Sequence, residues 1–190
     1  LMESQYKDLQ NAIYGSAEEM TRFRSLIVNC VLATDLFDRE LIDDRMIRWK
    51  QAFDEESKDE SLSVEENENL RATVVVEHVL MAADIGHTMQ HWHSYKRWNE
   101  RLYFERYEAF KTGRVEKDPT ANWYQEELKF FDEVVIPMAN RLKGSGVFGV
   151  AGDDAIRCAQ SNRKDWVVNG GAIVEDLKKR YNEFKAGNIA

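Results

Sequence analysis

The sequence predicts an all-α multi-helix bundle. Apolar residues recur at intervals of three and four along most of the 190-residue chain, which is the period of an amphipathic helix. Only two prolines and ten glycines are present, so few positions interrupt a helix. Hydrophobic residues make up 43% of the chain, which is enough to fill a core. Because no repeat or linker divides the chain, we expect one helical unit of about seven to nine helices.

The N-terminal part carries two predicted helices. Ser16 and Glu19 fit a capping box, in which each side chain bonds the backbone amide of the other, so a helix begins there. Its apolar stripe continues to Thr34. A second apolar stripe runs from Leu41 to Phe53 and predicts the next helix.

An acidic segment separates these helices from a more apolar one. Residues 54–69 contain many carboxylates and a single apolar pair, so we expect a solvated loop. Residues 70–85 are apolar nearly all round, which indicates a helix buried on several sides. Asp84 lies at the end of that helix. An ionised carboxylate buried there needs a metal ion, a basic side chain or a helix N-terminus beside it.

Helical spacing predicts two further helices over residues 95–110 and 124–142. Proline lacks an amide hydrogen and its ring clashes with the preceding turn, so Pro137 should kink or end the second of them near Ile136.

The C-terminal part contains a glycine-rich loop at 144–149 followed by two predicted helices. Asp153 or Asp154 could cap the first of these helices. The second carries an apolar stripe over residues 173–184.

Charge and cysteine content exclude several classes of protein. The net charge of −8 argues against nucleic acid or an anionic membrane as the main partner, and a phosphate substrate would need a local positive charge such as a metal ion. Two distant cysteines form neither a disulfide framework nor a zinc motif, which favours a reducing compartment. No apolar run has the length of a membrane span and no signal peptide precedes the polar residues. We therefore expect a cytoplasmic protein, or the cytosolic part of a larger one.

The histidines cluster near the end of the apolar helix. Asp84, His87 and His91 are spaced by three and four residues, so a continuous helix would stack them on one face, where they could hold zinc. Alternatively, Gly86 ends the helix and the histidines lie at the surface. The spacing alone leaves both interpretations open.

Five short patterns follow one another along the chain, namely VLATDL at 31–36, AADI at 82–85, YKRW at 95–98, FFDEVVIP at 130–137 and NRKDW at 162–166. Together and in this order they resemble the class I 3′,5′-cyclic nucleotide phosphodiesterases. The resemblance implies that residues 1–190 are the C-terminal part of an all-helical, HD-type catalytic domain.

The resemblance also implies a chemistry. Two divalent ions, zinc and magnesium or manganese, hold the cyclic phosphate of cAMP or cGMP and a bridging hydroxide, which attacks phosphorus while a histidine protonates the 3′ oxygen. In that scheme Asp84 is a metal ligand and Thr34 holds a metal-bound water. Phe130 stacks on the base, and His87 stands where the family often has an asparagine near the base.

The metal site is the first departure from the family. Three of its four ligands and the general-acid histidine belong to sequence that would precede Leu1, and no His-Asp-x-x-His pattern occurs in this chain. One carboxylate does not hold a catalytic zinc. We therefore expect the chain to be inactive unless the N-terminal half of the domain is supplied in cis or in trans. Its face toward that half should be apolar and prone to association. The alternative is a catalytically dead scaffold or subunit that has kept the fold.

The base pocket is the second departure. The purine-reading glutamine of the family aligns with Glu127, three residues before Phe130. An amide both donates and accepts hydrogen bonds, whereas an ionised carboxylate only accepts them. Glu127 would suit the N1–H and the 2-amino group of guanine, so cGMP is at least as good a candidate substrate as cAMP.

Overall fold

Eight α-helices and no strand are found in the described part of the chain. The computed structural model describes residues 6–36, 38–57 and 59–185. The helices are α1 (Lys7–Ile13), α2 (Ala17–Ala33), α3 (Arg39–Phe53), α4 (Val64–Asp84), α5 (Trp92–Lys111), α6 (Trp123–Phe130), α7 (Ile136–Gly144) and α8 (Val150–Lys185). The predicted all-α multi-helix bundle is confirmed.

The chain divides into two compact units, residues 1–81 and 82–190, where we expected one. The boundary between them falls inside the residue range of α4. Among the described residues, no helix combines the length and the apolar character needed to cross a bilayer.

Side-chain caps explain where α2 and α3 begin. The Ser16 hydroxyl accepts a hydrogen bond from the Glu19 amide at 3.1 Å, and the Glu19 carboxylate accepts one from the Gly15 amide. The predicted start of this helix is confirmed. At α3 the Asp38 carboxylate accepts from the Leu41 amide at 3.0 Å. In each case the side chain satisfies an amide that has no partner within the helix.

The predicted acidic loop over 54–69 is wrong in its second part, because α4 begins at Val64. The Ser63 amide donates to the Glu66 carboxylate at 2.8 Å, and the Glu66 amide donates to the Ser63 hydroxyl at 3.3 Å. This capping box starts the helix. The acidic residues of 64–69 then lie in its first turns, where negative charge is favourable near the helix N-terminus.

Pro137 has the predicted effect. Helix α6 ends at Phe130, a π-helical turn occupies Phe131–Val135, and α7 begins at Ile136 with Pro137 in its first turn. A proline is tolerated there because the first amides of a helix have no helical acceptor.

The C-terminal part forms one helix, whereas two were predicted. Helix α8 runs unbroken for 36 residues and packs on α5, α6, α7 and the turn at 86–89. Gly170 lies within this helix and is a packing residue. A Cβ atom there would lie 2.8 Å from the Trp166 ring and 2.9 Å from the Tyr124 ring.

The predicted caps of the same helix are also wrong. Helix α8 already begins at Val150, so Asp153 and Asp154 lie inside it. Their carboxylates form ion pairs instead, Asp153 with Lys143 and Asp154 with Arg157, each at 2.6 Å.

Candidate functional site

Asp84 is the last residue of α4, and its side chain is exposed. The expectation of a buried carboxylate is therefore wrong. The end of this helix is apolar by sequence, but Met81, Ala82 and Ile85 occupy its buried side while Ala83 and Asp84 lie on the exposed side. A metal role for Asp84 consequently rests on its place in the family pattern and draws no support from burial.

The local metal site of Asp84, His87 and His91 is not formed. The α-helix stops at Asp84, a 3₁₀ turn follows at Gly86–Met89, and His91 precedes the first residue of α5, so no continuous helix stacks the three side chains. Within the part of the chain that the structure describes, no three histidine, cysteine, aspartate or glutamate side chains are grouped so that they could hold a metal ion. Asp84, His87 and His91 therefore do not by themselves make up the zinc and magnesium site that the family pattern implies.

His87 lies in the 3₁₀ turn and is partly buried. Burial lowers the pKa of its imidazole, although the charge of Asp84 acts in the opposite direction. A neutral imidazole presents one hydrogen-bond donor and one acceptor. Its ring centroid is 6.4 Å from that of Trp98, which is 48% exposed and has the Arg101 guanidinium over its ring. Helical spacing does not indicate that Trp98 lies at the surface.

Glu127 lies on α6 and is only 9% exposed. The Tyr95 hydroxyl donates to its carboxylate at 2.7 Å, and Asn99 also hydrogen-bonds it. The Trp123 indole donates in turn to the Asn99 carbonyl oxygen at 3.2 Å. Burial raises the pKa of Glu127, while the hydrogen bonds and the charge of Arg106 act against the rise. The same burial, with Glu127 adjacent, raises the pKa of Tyr95 well above its ordinary value.

Tyr95 and Asn99 are one helical turn apart on α5, on the face that meets α6 through Glu127 and Trp123. The YKRW pattern at 95–98 includes Tyr95, but the sequence analysis gave Tyr95 no role and did not identify Asn99. The spacing of four places the two polar residues on one face of a helix, but only the structure shows that this face is buried and that the two side chains therefore need hydrogen-bond partners.

Phe130 is partly exposed, whereas its neighbour Phe131 is fully buried. Phe131 packs edge-on against Tyr95 with ring centroids 5.2 Å apart, which makes it a core residue. Phe130 follows Glu127 by three residues on α6 and immediately precedes the π-helical turn. Such turns are frequent at functional sites. The stacking of Phe130 on a base stays a prediction.

Thr34 belongs to the first unit, whereas Asp84, His87, Glu127 and Phe130 all belong to the second. It is exposed at the end of α2, and its hydroxyl donates to the Val31 carbonyl at 2.7 Å, as a residue that caps a helix end does.

The end of α2 is held by an arginine that the sequence analysis missed. Arg45 is 6% exposed and donates to the carbonyl groups of Leu32, Ala33 and Asp35 at 3.1, 3.0 and 2.6 Å. Carbonyl groups at a helix C-terminus lack helical partners, so this guanidinium satisfies them.

A cavity of about 580 Å³ lies in the first unit between α2, α3 and α4. It is lined by residues such as Arg22, Arg48 and Thr73, and by none of the predicted site residues. We therefore assign no role in the site to this cavity.

The described geometry defines an all-helical domain whose second unit holds a buried carboxylate network beside a partly exposed aromatic residue. A comparison with protein-family models identifies the family, because residues 1–145 match the model of the 3′5′-cyclic nucleotide phosphodiesterases. The chain belongs to that family. Neither a curated protein nor a solved structure gives a significant match to the chain.

Proposed function

We propose that this chain forms the base-binding part of a phosphodiesterase domain that hydrolyses 3′,5′-cyclic nucleotides to 5′-nucleotides. The observation that supports this most strongly is the position of Glu127, whose buried carboxylate is held by neutral donors one helical turn before a partly exposed Phe130. In the family pattern these two positions read and stack the purine. His87, with one donor and one acceptor, is proposed to contact the base from the turn after α4.

The metal ligands would have to be completed by groups outside the described part of the chain. Asp84 is the one ligand that we assign to the chain, and its exposed carboxylate is accessible to such groups. From its place in the family pattern Thr34 is proposed to hold a water, because its exposed hydroxyl oxygen can accept a hydrogen bond while the hydroxyl donates to Val31. The two free cysteines, Cys30 and Cys158, agree with a reducing, cytoplasmic compartment.

The base preference follows from the chemistry of Glu127. A carboxylate has about four lone-pair positions, and Tyr95 and Asn99 occupy part of this capacity. When ionised, it has acceptors for the N1–H and the 2-amino group of guanine, but no donor for the N1 acceptor of adenine. We therefore propose cGMP as the preferred substrate.

The test of this preference is hydrolysis by the protein that carries both this chain and the histidine-bearing half of the domain. Glu127→Gln should shift the ratio of kcat/KM for cGMP over cAMP by about tenfold toward cAMP, because the amide regains a donor. Glu126→Gln is the matched control, since it removes the same charge from an exposed neighbour on α6. An unchanged ratio in Glu127→Gln would refute the assignment.

The test of the metal role is Asp84→Ala in the same protein. Loss of a direct ligand should lower kcat by about a hundredfold or more, because even the residues that orient metal ligands contribute 10- to 100-fold. Asp176→Ala, at an exposed position of α8, should leave kcat unchanged.

A helical scaffold that has lost catalysis is the second candidate. It is favoured by the exposed Asp84 and by the absence of a three-ligand metal group among the described residues. No hydrolysis of either nucleotide by the completed protein, with zinc and magnesium present, would support this candidate over the enzyme.

A further inference from the structure

Three residues within five positions of α8 contact three different segments of the second unit. Asn162 bonds the turn that carries His87, Arg163 bonds the π-helical turn after Phe130, and Trp166 bonds α6. The family match ends at residue 145, before α8 begins.

Asn162 holds the turn after α4. Its side chain is 1% exposed, and its amide nitrogen donates to the carbonyl groups of Thr88 at 2.9 Å and Gln90 at 2.7 Å. These two carbonyls belong to residues one and three positions after His87 in the chain. The turn cannot reorient without leaving buried polar groups unpaired, which is costly.

Arg163 holds the segment after Phe130. Its guanidinium donates two hydrogen bonds to the Asp132 carboxylate, at 2.6 and 2.8 Å. Both side chains are partly exposed, so the pair contributes little to stability. A bidentate arginine–carboxylate contact nevertheless fixes orientation, and Asp132 lies two residues beyond Phe130.

Trp166 supports the Glu127 network. Its indole donates to the Tyr124 carbonyl at 3.1 Å, and its fully buried ring meets Tyr95 edge-on with centroids 5.8 Å apart. Tyr95 is the residue that donates to Glu127. Gly170 leaves the space into which the Trp166 and Tyr124 rings fit.

We infer that α8 holds residues of the nucleotide site in position. Asn162 is the positioning residue for His87, and Arg163 is the positioning residue for Phe130. Burying an amide is unfavourable unless it is hydrogen-bonded, and both bonds of the Asn162 amide go to the segment that carries His87 rather than to its own helix. Asn162 instead occupies the buried stripe between Ala159 and Trp166. The identity of the ligand in this inference rests on the proposed function.

The first experiment measures the position of His87 in the full chain, without any assay of activity. Asn162→Ala should speed hydrogen exchange at the Thr88 amide by about tenfold, because the turn loses two hydrogen bonds, one of them fully buried. The pKa of His87, followed by its ring proton signal, should rise toward its ordinary value as the ring becomes better hydrated. The matched control is Asn169→Ala, since Asn169 lies on the same helix but bonds only the Asp165 carbonyl.

The second experiment measures nucleotide recognition in the completed protein. Asn162→Ala should raise KM for the preferred cyclic nucleotide by about tenfold and change kcat by less than about threefold, because the base contact is loosened while the phosphate chemistry is left intact. An equal fall in kcat and kcat/KM, or values equal to those of Asn169→Ala, would overturn the inference. If the wild-type protein hydrolyses no cyclic nucleotide, the proposed function fails, and the exchange and titration of the first experiment still decide the positioning role.

A second pair of variants keeps the inference testable if Asn162→Ala does not fold. Arg163→Gln and Asp132→Asn each remove one partner of a partly exposed ion pair, so both should fold. Each should raise KM, and the double variant should raise it no further than the larger single effect, as expected for one shared contact. Additive effects, or no effect, would contradict a positioning role for Arg163.

Discussion

The two units of the chain each bury a glutamate, and the partners of the two carboxylates differ. Glu77 in the first unit is 1% exposed and has the Arg48 guanidinium 3.0 Å from its carboxylate. Burial raises its pKa, while the charges of Arg48 and Arg45 act against the rise. In the second unit Tyr95 and Asn99 bond Glu127.

The difference separates a structural carboxylate from one that is available to a ligand. Glu77 has its charge balanced by a contacting cation, as a buried charge generally requires. Glu127 is held in place by the neutral donors Tyr95 and Asn99, and the charge of Arg106 acts on it without a hydrogen bond. Lone pairs of the carboxylate are therefore left for a bound molecule. A buried carboxylate is thus a candidate for recognition when its protein partners orient it and leave part of its acceptor capacity unoccupied.

The units also differ in how completely their helices are covered. In the first unit α2 exposes a row of large apolar side chains, namely Ile27, Val28, Val31 and Leu32. In the second unit α8 buries Trp166, Val174, Leu177 and Tyr181 along one stripe. Exposed apolar patches mark surfaces that bind something. The exposed face of α2 is therefore a candidate interaction surface.

The largest effect should come from unpairing Glu77. Arg48→Met should lower the free energy of unfolding by about 3 kcal/mol, because it leaves a buried carboxylate without its cation. Urea unfolding of this variant and of Arg39→Met, an exposed arginine on the same helix, provides the measurement. Equal stabilities would mean that Glu77 is protonated and that the comparison with Glu127 is wrong.

A somewhat smaller effect is expected from the close approach at Gly170. Gly170→Ala should cost about 2 kcal/mol, because the new methyl group would overlap the rings of Trp166 and Tyr124. Gly171→Ala has open space around its Cβ and should instead stabilise the helix by about 0.5–1 kcal/mol. Thermal unfolding of the two variants compares neighbouring positions with opposite expected signs.

Replacing the Glu127 carboxylate of the second unit by an amide should stabilise the protein. Because the pKa of Glu127 is raised in the folded state, its contribution to stability is greatest below its ordinary pKa and is lost as the pH rises through the folded value. Glu127→Gln removes this loss, so it should raise the melting temperature, and more at pH 8 than at pH 4. Glu126→Gln should show no such trend. A gain that is larger at pH 4 would contradict the raised pKa.

The smallest effect on stability is expected at the exposed face of α2. Val31→Lys should change the free energy of unfolding by less than about 0.5 kcal/mol, because this side chain is 65% exposed. It should nevertheless weaken self-association of the chain, measured by sedimentation over a range of concentrations. Val168→Lys, at a 79% exposed position of α8, is the control and should leave association unchanged. If both variants associate as the wild type does, the α2 face is not an interface.

Local signals in the sequence were sufficient for the helices and for several of their ends. The capping box at Ser16 and the break before Pro137 act within one turn of the backbone, and the structure has them. The end of α4 at Asp84 follows from Gly86, one of the two alternatives that the spacing left open. Such features depend only on neighbouring residues, so a single sequence carries them.

Tertiary structure alone decided which side chains are buried and what they contact. The exposure of Asp84, the partners of Glu127 and the continuity of α8 past Gly170 all depend on residues far away in the chain. Periodicity shows that a helix has an apolar face, but it does not show which neighbour covers that face. The residues that hold the candidate site, Tyr95, Asn99 and Asn162, therefore became apparent only when α5, α6 and α8 were seen together, because their hydrogen bonds join segments more than 20 residues apart.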